Sequence, residues 1–369
     1  MTEHAARGIR LPPWTTIAPV VALVALALSW GRDVPGWGLV LDAALLGASV
    51  LAAVHHAEVI AHRVGEPFGS LVLAVAVTVI EVGLIVTLMS SGESGTSTLA
   101  RDTVFAAVMI SVNGIAGISL LVAAHRAKDR LAYFNAEGSG TALATVLTVT
   151  VLTLVLPTLT RSAPDQRFTT SQLMFAALAA LILWGSFVFT QTVRHRDFFL
   201  PINSRGDVLP SQHAQPPSSR EAGISLGLLL AALIGVVGLA KVETKTIESV
   251  VTGAGLPQAF VGVLIAMLVL LPESLAAVKN ARRGRVQVSL NLAYGSAMAS
   301  IGLTIPVIAV AVLLFDLPLR LGLSALHIGL LAATAVVATL TIVPGRATRQ
   351  AGVAHLALVA AYIFLSAVP

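Results

Sequence analysis

The stretch AVAVTVIEVGLIVTLM, Ala74 to Met89, carries one ionisable side chain, Glu81, inside an otherwise uncharged apolar run. A charged side chain near the middle of a bilayer costs roughly 2.5–3.5 kcal/mol on insertion scales, and such residues mark ion paths or proton relays. Glu81 follows Phe68 by thirteen residues, about 20 Å of helix rise against a ~30 Å hydrocarbon core, which is well inside a span. A second stretch, VLIAMLVLLPESLAAV from Val263 to Val278, repeats the pattern around Glu273. Pro272 precedes this glutamate, and the sequence predicts a helix interrupted there, with freed backbone carbonyls that help to coordinate a cation.

The rest of the chain has the composition these stretches require. Of 369 residues, 56% are hydrophobic and 11% charged, whereas a soluble domain carries about 25% charged residues. The mean hydropathy is +0.89. There are no cysteines, which excludes disulfides and thiolate metal sites. Runs of about 20 apolar residues give eleven spans, at 13–31, 36–61, 67–91, 103–125, 139–160, 170–193, 222–240, 257–278, 287–315, 321–343 and 350–368. Arg7 and Arg10 before Ala25-Leu26-Ala27 resemble a signal peptide, but the apolar run continues through Trp30, so the segment reads as the first membrane helix. The longest connection, Arg194 to Arg220, holds Pro201, Pro210, Pro216 and Pro217 among polar residues and reads as a solvated linker.

The fold class predicted is an all-α polytopic membrane protein. Residues 1–35 form the amino terminus and an extra helix, 36–193 a first set of five helices, 194–220 the linker, and 221–369 a second set of five. An odd number of spans per set makes the second copy enter the membrane from the opposite face, the inverted-repeat plan of secondary transporters. Aligning Glu81 with Glu273 sets Ser111 beside Ser300 and Ala107 beside Ser296, after a three-residue length difference. Lysine and arginine alternate between loops, 16 on the amino-terminal side and 7 on the other. That asymmetry predicts an inner-membrane protein with a cytoplasmic amino terminus and an external carboxyl terminus. The basic residues lie between apolar runs, so the pI near 10.1 does not indicate nucleic acid; the expected partners are membrane lipid, inorganic cations and protons.

The charges left inside the spans are Asp42, Glu58, Glu81 and Glu273, all acidic. An anion path would need basic groups; these acids suit a cation. Two carboxylates with carbonyl and hydroxyl oxygens suit a hard cation such as Ca²⁺, which takes six to eight oxygen ligands. They also suit protons, because paired carboxylates in a desolvated site are costly to keep charged without a cation. Ser111, Asn113, Ser296 and Ser300 are the candidate neutral ligands, on helices whose small residues otherwise serve close packing. Asp42 reads either as a helix-end group bonded to a neighbour or as part of the path. In HHAEVIAHR, His55 to Arg63, the residues His55, Glu58 and His62 share one helical face and suit a proton relay, a gate or a transition metal. His55, His56, Glu58 and Asp42 are therefore the candidate relay or gate. The spacing is not the H-E-x-x-H of a zinc protease, and neither a catalytic site nor a cofactor is expected beyond the transported ions themselves.

At these residues the chain resembles the calcium/cation antiporter superfamily, and within it the bacterial ChaA-type calcium or sodium-potassium/proton antiporters. The matching segments are HHAEVIAHRVGEPFGSLVLAVAVTVIEV in the first half and LLPESLAAVKNARRG with SLNLAYGSAMASIGLTIPV in the second. The resemblance implies eleven helices, one extra helix plus two inverted five-helix repeats, exchanging cytoplasmic Ca²⁺, Na⁺ or K⁺ for external protons, with Glu81 and Glu273 as the paired acidic ligands. The first half has VTVIE where vacuolar calcium/proton exchangers have G-N-x-x-E, while LLPES resembles the proline-glutamate form of sodium/calcium exchangers. That mixture leaves the preferred cation open. Two other readings compete: a passive cation channel or uniporter, since an acid-lined path also conducts, and an intramembrane metal-dependent hydrolase built on His55, Glu58 and His62.

Overall fold

A computed structural model describes residues 13–32, 34–65, 68–90, 96–203, 205–209 and 216–368. The apolar runs form α1 (Pro13–Ser29), α2 (Gly36–Val64) and α3 (Phe68–Met89). After them come α4 (Thr96–Arg126), α5 (Ala136–Leu159), α6 (Thr170–Arg194), α7 (Ser219–Gly253), α8 (Phe260–Arg282), α9 (Val286–Phe315), α10 (Ala325–Ile342) and α11 (Arg349–Ala367). Ten of these, all but α1, are long and apolar enough to cross a membrane. The 17 residues of α1 rise about 25 Å, at the short end of what spans a bilayer. Arg7, Arg10 and linker residues 204 and 210–215 lie outside the described residues.

Local sequence sets the helix boundaries. Thr169 and Gln172 close a reciprocal capping box at the start of α6, and Asn135 Oδ1 accepts from the Glu137 and Gly138 amides at the start of α5. Gly65 ends α2 at φ +76°, a conformation open to glycine, with its N–H donating to the Ala61 carbonyl. Two helices are longer than their apolar runs. In α7 the run ends at Ala240, yet the helix continues through Lys241, Glu243 and Lys245 to Gly253, because lysine and glutamate are good helix formers and no proline or glycine intervenes. In α8 the expected interruption at Pro272 is absent: the helix is continuous from Phe260 to Arg282. Proline removes one N–H, so Leu268 loses its usual backbone donor, but a membrane helix tolerates this single loss. Irregular turns lie elsewhere, as π-helical segments at Ile110–Ile115 in α4, Val151–Val155 in α5 and Thr190–Arg194 in α6.

The helices pack as two units. The first draws on residues 1–88 and 210–247 and the second on 89–209 and 248–369, so packing does not follow the division at the linker. In the first unit α2 runs antiparallel to α7: Arg63 near the end of α2 donates to Ser219 Oγ at the start of α7, 2.8 Å. Gly83 of α3 lies against Val237 of α7, where an added Cβ would stand 2.6 Å from the valine Cγ2.

In the second unit the loops sort cleanly to two ends. At one, β1 (Leu131–Tyr133) pairs antiparallel with β2 (Arg346–Thr348), joining the α4–α5 and α10–α11 connections. Gln287 Oε1 accepts from the Asn135 amide there, and Asn291 donates to the Phe199 carbonyl. At the other end Arg101 donates to the Gly322 carbonyl, the Arg320 amide to Ser97 and the Gly322 amide to Gln166. Hence α4 and α9 run in opposite directions, as do α5 and α10, and α6 and α11. With α2 and α7, four of the five repeat pairs are inverted within a single unit, as the odd span count predicts. The first end carries most of the unit's basic residues, and the second only Arg101, Arg161, Arg167 and Arg320. Large apolar side chains such as Phe175, Leu178, Ile182 and Phe189 of α6 stay exposed, as surface that meets acyl chains does.

Candidate functional site

Counted from Phe68 and from Phe260, each repeat's glutamate is the fourteenth residue of its helix. Glu81 is 2% exposed and Glu273 7%. In α3 the flanking Ile80, Val82 and Ile85 are buried too, and Thr78 returns its hydroxyl to the Ala74 carbonyl, 2.8 Å. In α8 Ser274 does the same to Leu270, 2.7 Å. Each neighbouring hydroxyl is thus satisfied within its own helix.

The remaining residues of the first unit split into an inner and an outer group. Asp42 is buried and accepts a 2.6 Å hydrogen bond from Ser29 Oγ, the neighbour-bonded arrangement that one reading of it expected. Glu243 of α7 is fully buried and is near enough for Asp42 to act on it electrostatically. Sequence reasoning missed Glu243, because the apolar run had already ended; the unbroken helix-forming composition to Gly253 was the signal available. His56 is buried and bridges three helices, Nε2 to the Thr15 carbonyl at 2.9 Å and Nδ1 to Ser225 Oγ at 3.3 Å. His55 stacks edge-on against it, while Glu58 is half-buried and His62 exposed. Among the described residues no three histidines, aspartates or glutamates gather as a metal site. The transition-metal reading of His55, Glu58 and His62 therefore finds no support among the described residues: His55 is turned against His56 while His62 is exposed, so the three do not gather.

In the second unit Ser111 and Asn113 lie on the π-helical turn of α4, and their side chains differ in what they do. Asn113 is fully engaged, its Nδ2 donating to Thr334 Oγ1 of α10 at 2.9 Å and its Oδ1 lying 3.0 Å from His355 Nδ1 of α11. An amide held this way ties three helices together, so its expected role as a ligand gives way to a structural one in this conformation. Ser111 Oγ is buried and makes no hydrogen bond, which leaves that oxygen available. The Tyr294 hydroxyl of α9, unmarked in the sequence reading, is likewise buried without a partner. Ser300 is buried and Ser296 half-buried on the same helix. No local pattern reveals the Asn113–Thr334–His355 contact, since Asn113 lies more than 200 residues from both of its partners. Close approach depends on glycine: a Cβ on Gly262 of α8 would stand 2.7 Å from the Thr103 amide of α4. Beside it Asp102 is buried, paired to Arg101 at 2.7 Å and hydrogen-bonded to Thr98, so this acid is already neutralised.

The sodium/calcium exchanger protein family matches the chain twice, over residues 35–193 and 224–368, one match to each set of five helices. The chain belongs to that family. Among relatives of this exchanger, a Sinorhizobium fredii protein named as an ionic transporter, y4hA, is 42% identical over 366 residues, covering 98% of both chains. The sodium-potassium/proton antiporter ChaA of Escherichia coli is 34% identical over 351 residues, 94% of each. Among solved structures the H⁺/Ca²⁺ exchanger CAX superposes with a TM-score of 0.68 at 15% identity, over 95% of this chain and 91% of that one, a likeness of fold. The exchanger is therefore an integral membrane transporter of cations, and its relatives are transporters rather than enzymes.

Proposed function

We propose that the exchanger is a proton-coupled antiporter that moves a cytoplasmic cation outward against entering protons, with Ca²⁺ the leading substrate and Na⁺ or K⁺ the alternatives. One observation carries the reading: each repeat buries a glutamate at the same position of its corresponding helix, Glu81 in α3 and Glu273 in α8. A carboxylate sealed from water must be neutralised by a cation or a proton. Using the same oxygens for both makes their occupancies exclusive, and that exclusion is the basis of exchange. Ser111 and Ser300 are proposed to add neutral oxygens, and Asp42, His55, His56 and Glu58 to relay or gate protons. The basic-rich end of the second unit faces the cytoplasm in this reading. The names of ChaA and CAX, an antiporter and an exchanger that each involve protons, support the coupling, and the oxygen chemistry supports a hard cation.

Proteoliposomes with an imposed pH gradient test it. Ca²⁺, Na⁺ or K⁺ should move with opposed proton flux, and Glu81→Gln and Glu273→Gln should each abolish exchange while the protein still folds. Cation flux that ignores the proton gradient would make the protein a uniporter or channel, and normal exchange in either variant would remove that residue from the site.

A further inference from the structure

At the basic-rich end of the second unit, three helix termini surround a cavity of about 770 Å³ lined by Arg126, Arg282 and Arg349 with His125, Leu121 and Val122. Arg126 is the last residue of α4, Arg282 the last of α8 and Arg349 the first of α11, so the guanidinium groups stand where spans meet the headgroup layer. None of the three arginines forms an ion pair among the described residues, and no acid lines the cavity.

Helix dipoles explain only part of this. Arg126 and Arg282 complement the negative carboxyl ends of α4 and α8, but Arg349 sits at the positive amino end of α11, where a cation is disfavoured. Three cations and a positive helix end around one cavity leave a field that an anion would neutralise. Guanidinium forks match phosphate oxygens two at a time. A second cavity of about 620 Å³ shares Leu121 and Arg349 and adds the apolar Leu131 and Val353 beside the polar Asp129, Arg130, Thr348 and Gln350. Leu121 and Val122 put apolar side chains beside the arginines, which suits the acyl chains of a lipid, whereas a soluble phosphate would make no use of them.

We propose that this cavity binds the phosphate headgroup of an anionic phospholipid, held by Arg126, Arg282 and Arg349. Basic pockets between spans on the cytoplasmic side take such headgroups. The test is native mass spectrometry of the full chain in detergent, titrated separately with cardiolipin, phosphatidylglycerol, phosphatidylcholine and inorganic phosphate. Wild type should retain the anionic lipids in preference to phosphatidylcholine. Binding should weaken about fivefold for each arginine replaced by glutamine, and Lys279→Gln/Arg283→Gln, exposed on the same end but outside the cavity, should bind as wild type. Equal retention of anionic and zwitterionic lipids would overturn the proposal, as would full retention in Arg126→Gln/Arg282→Gln/Arg349→Gln. Displacement of the lipid by millimolar inorganic phosphate would make this a soluble-anion site instead. Should the triple variant not fold, the three single variants decide: unchanged lipid retention in all of them overturns the assignment. Ion transport enters none of these readouts.

Discussion

Asn113 shows how a polar residue in a membrane helix can be read two ways. Its carboxamide has the oxygen a cation would accept, yet both ends of that group are spoken for by Thr334 and His355. Asn113→Ala removes a partner from both His355 and Thr334, leaving the threonine hydroxyl only a 3.7 Å contact to Met109 Sδ, and at about 1–3 kcal/mol for a buried group left unsatisfied should lower the thermal midpoint in detergent more than Thr334→Val, which removes one of these contacts. Glu81 is the opposite case. Its depth was legible from thirteen preceding residues of helix, because the cost of a charge in hydrocarbon leaves few structural excuses. Outside the spans, the Tyr133 hydroxyl and the Leu131 amide hold the exposed Asp129 carboxyl below its ordinary pKa. A depressed carboxylate contributes above its ordinary value and loses that contribution as pH falls through the lowered one, so this tie at β1 is complete at neutral pH. Tyr133→Phe should move the Asp129 titration upward, as followed by side-chain NMR in nanodiscs.

At the scale of elements, glycine placement distinguishes helices that touch from helices that face lipid. A Cβ on Gly352 of α11 would stand 2.7 Å from the Gly117 carbonyl and 2.8 Å from the Leu121 amide of α4, while one on Gly185 of α6 would meet nothing within 4 Å. Gly352→Ala must therefore push two backbones apart and should destabilise by about 1–3 kcal/mol, whereas Gly185→Ala should be neutral or slightly stabilising because alanine favours helix. Thermal unfolding of the two variants side by side checks the contrast. Span positions were legible because hydropathy reports burial in lipid directly. The continuation of α7 was not, since Lys241, Glu243 and Lys245 end an apolar run without ending a helix. The continuity of α8 through Pro272 was not either, because packing within the protein can absorb the one missing hydrogen bond without breaking the helix.

For the whole molecule, the inverted plan was visible in the parity of the spans, and the antiparallel pairing of α4 with α9, α5 with α10 and α6 with α11 follows from it. The grouping of α7 with the first three helices was not visible, because helix partners in lipid are chosen by small-residue fit and scattered polar contacts rather than by hydropathy. Orientation can be measured with little background, since the chain has no cysteine. Lys128→Cys and Ser162→Cys place one thiol at each end of the second unit, both exposed. An impermeant maleimide added to intact cells should label Ser162→Cys and spare Lys128→Cys; the reverse pattern would invert the topology.

The contact of Gly117 with Gly352 also bears on how the protein is made. The two residues are separated by 235 positions, and at about 5–20 residues per second the ribosome needs roughly 10–50 s to supply α11 after α4 has emerged. During that interval Asn113 of α4 is without Thr334 and His355, the partners it has in the finished fold. The polar turn that later locks three helices together therefore spends tens of seconds of synthesis without the hydrogen bonds that satisfy it in the finished fold.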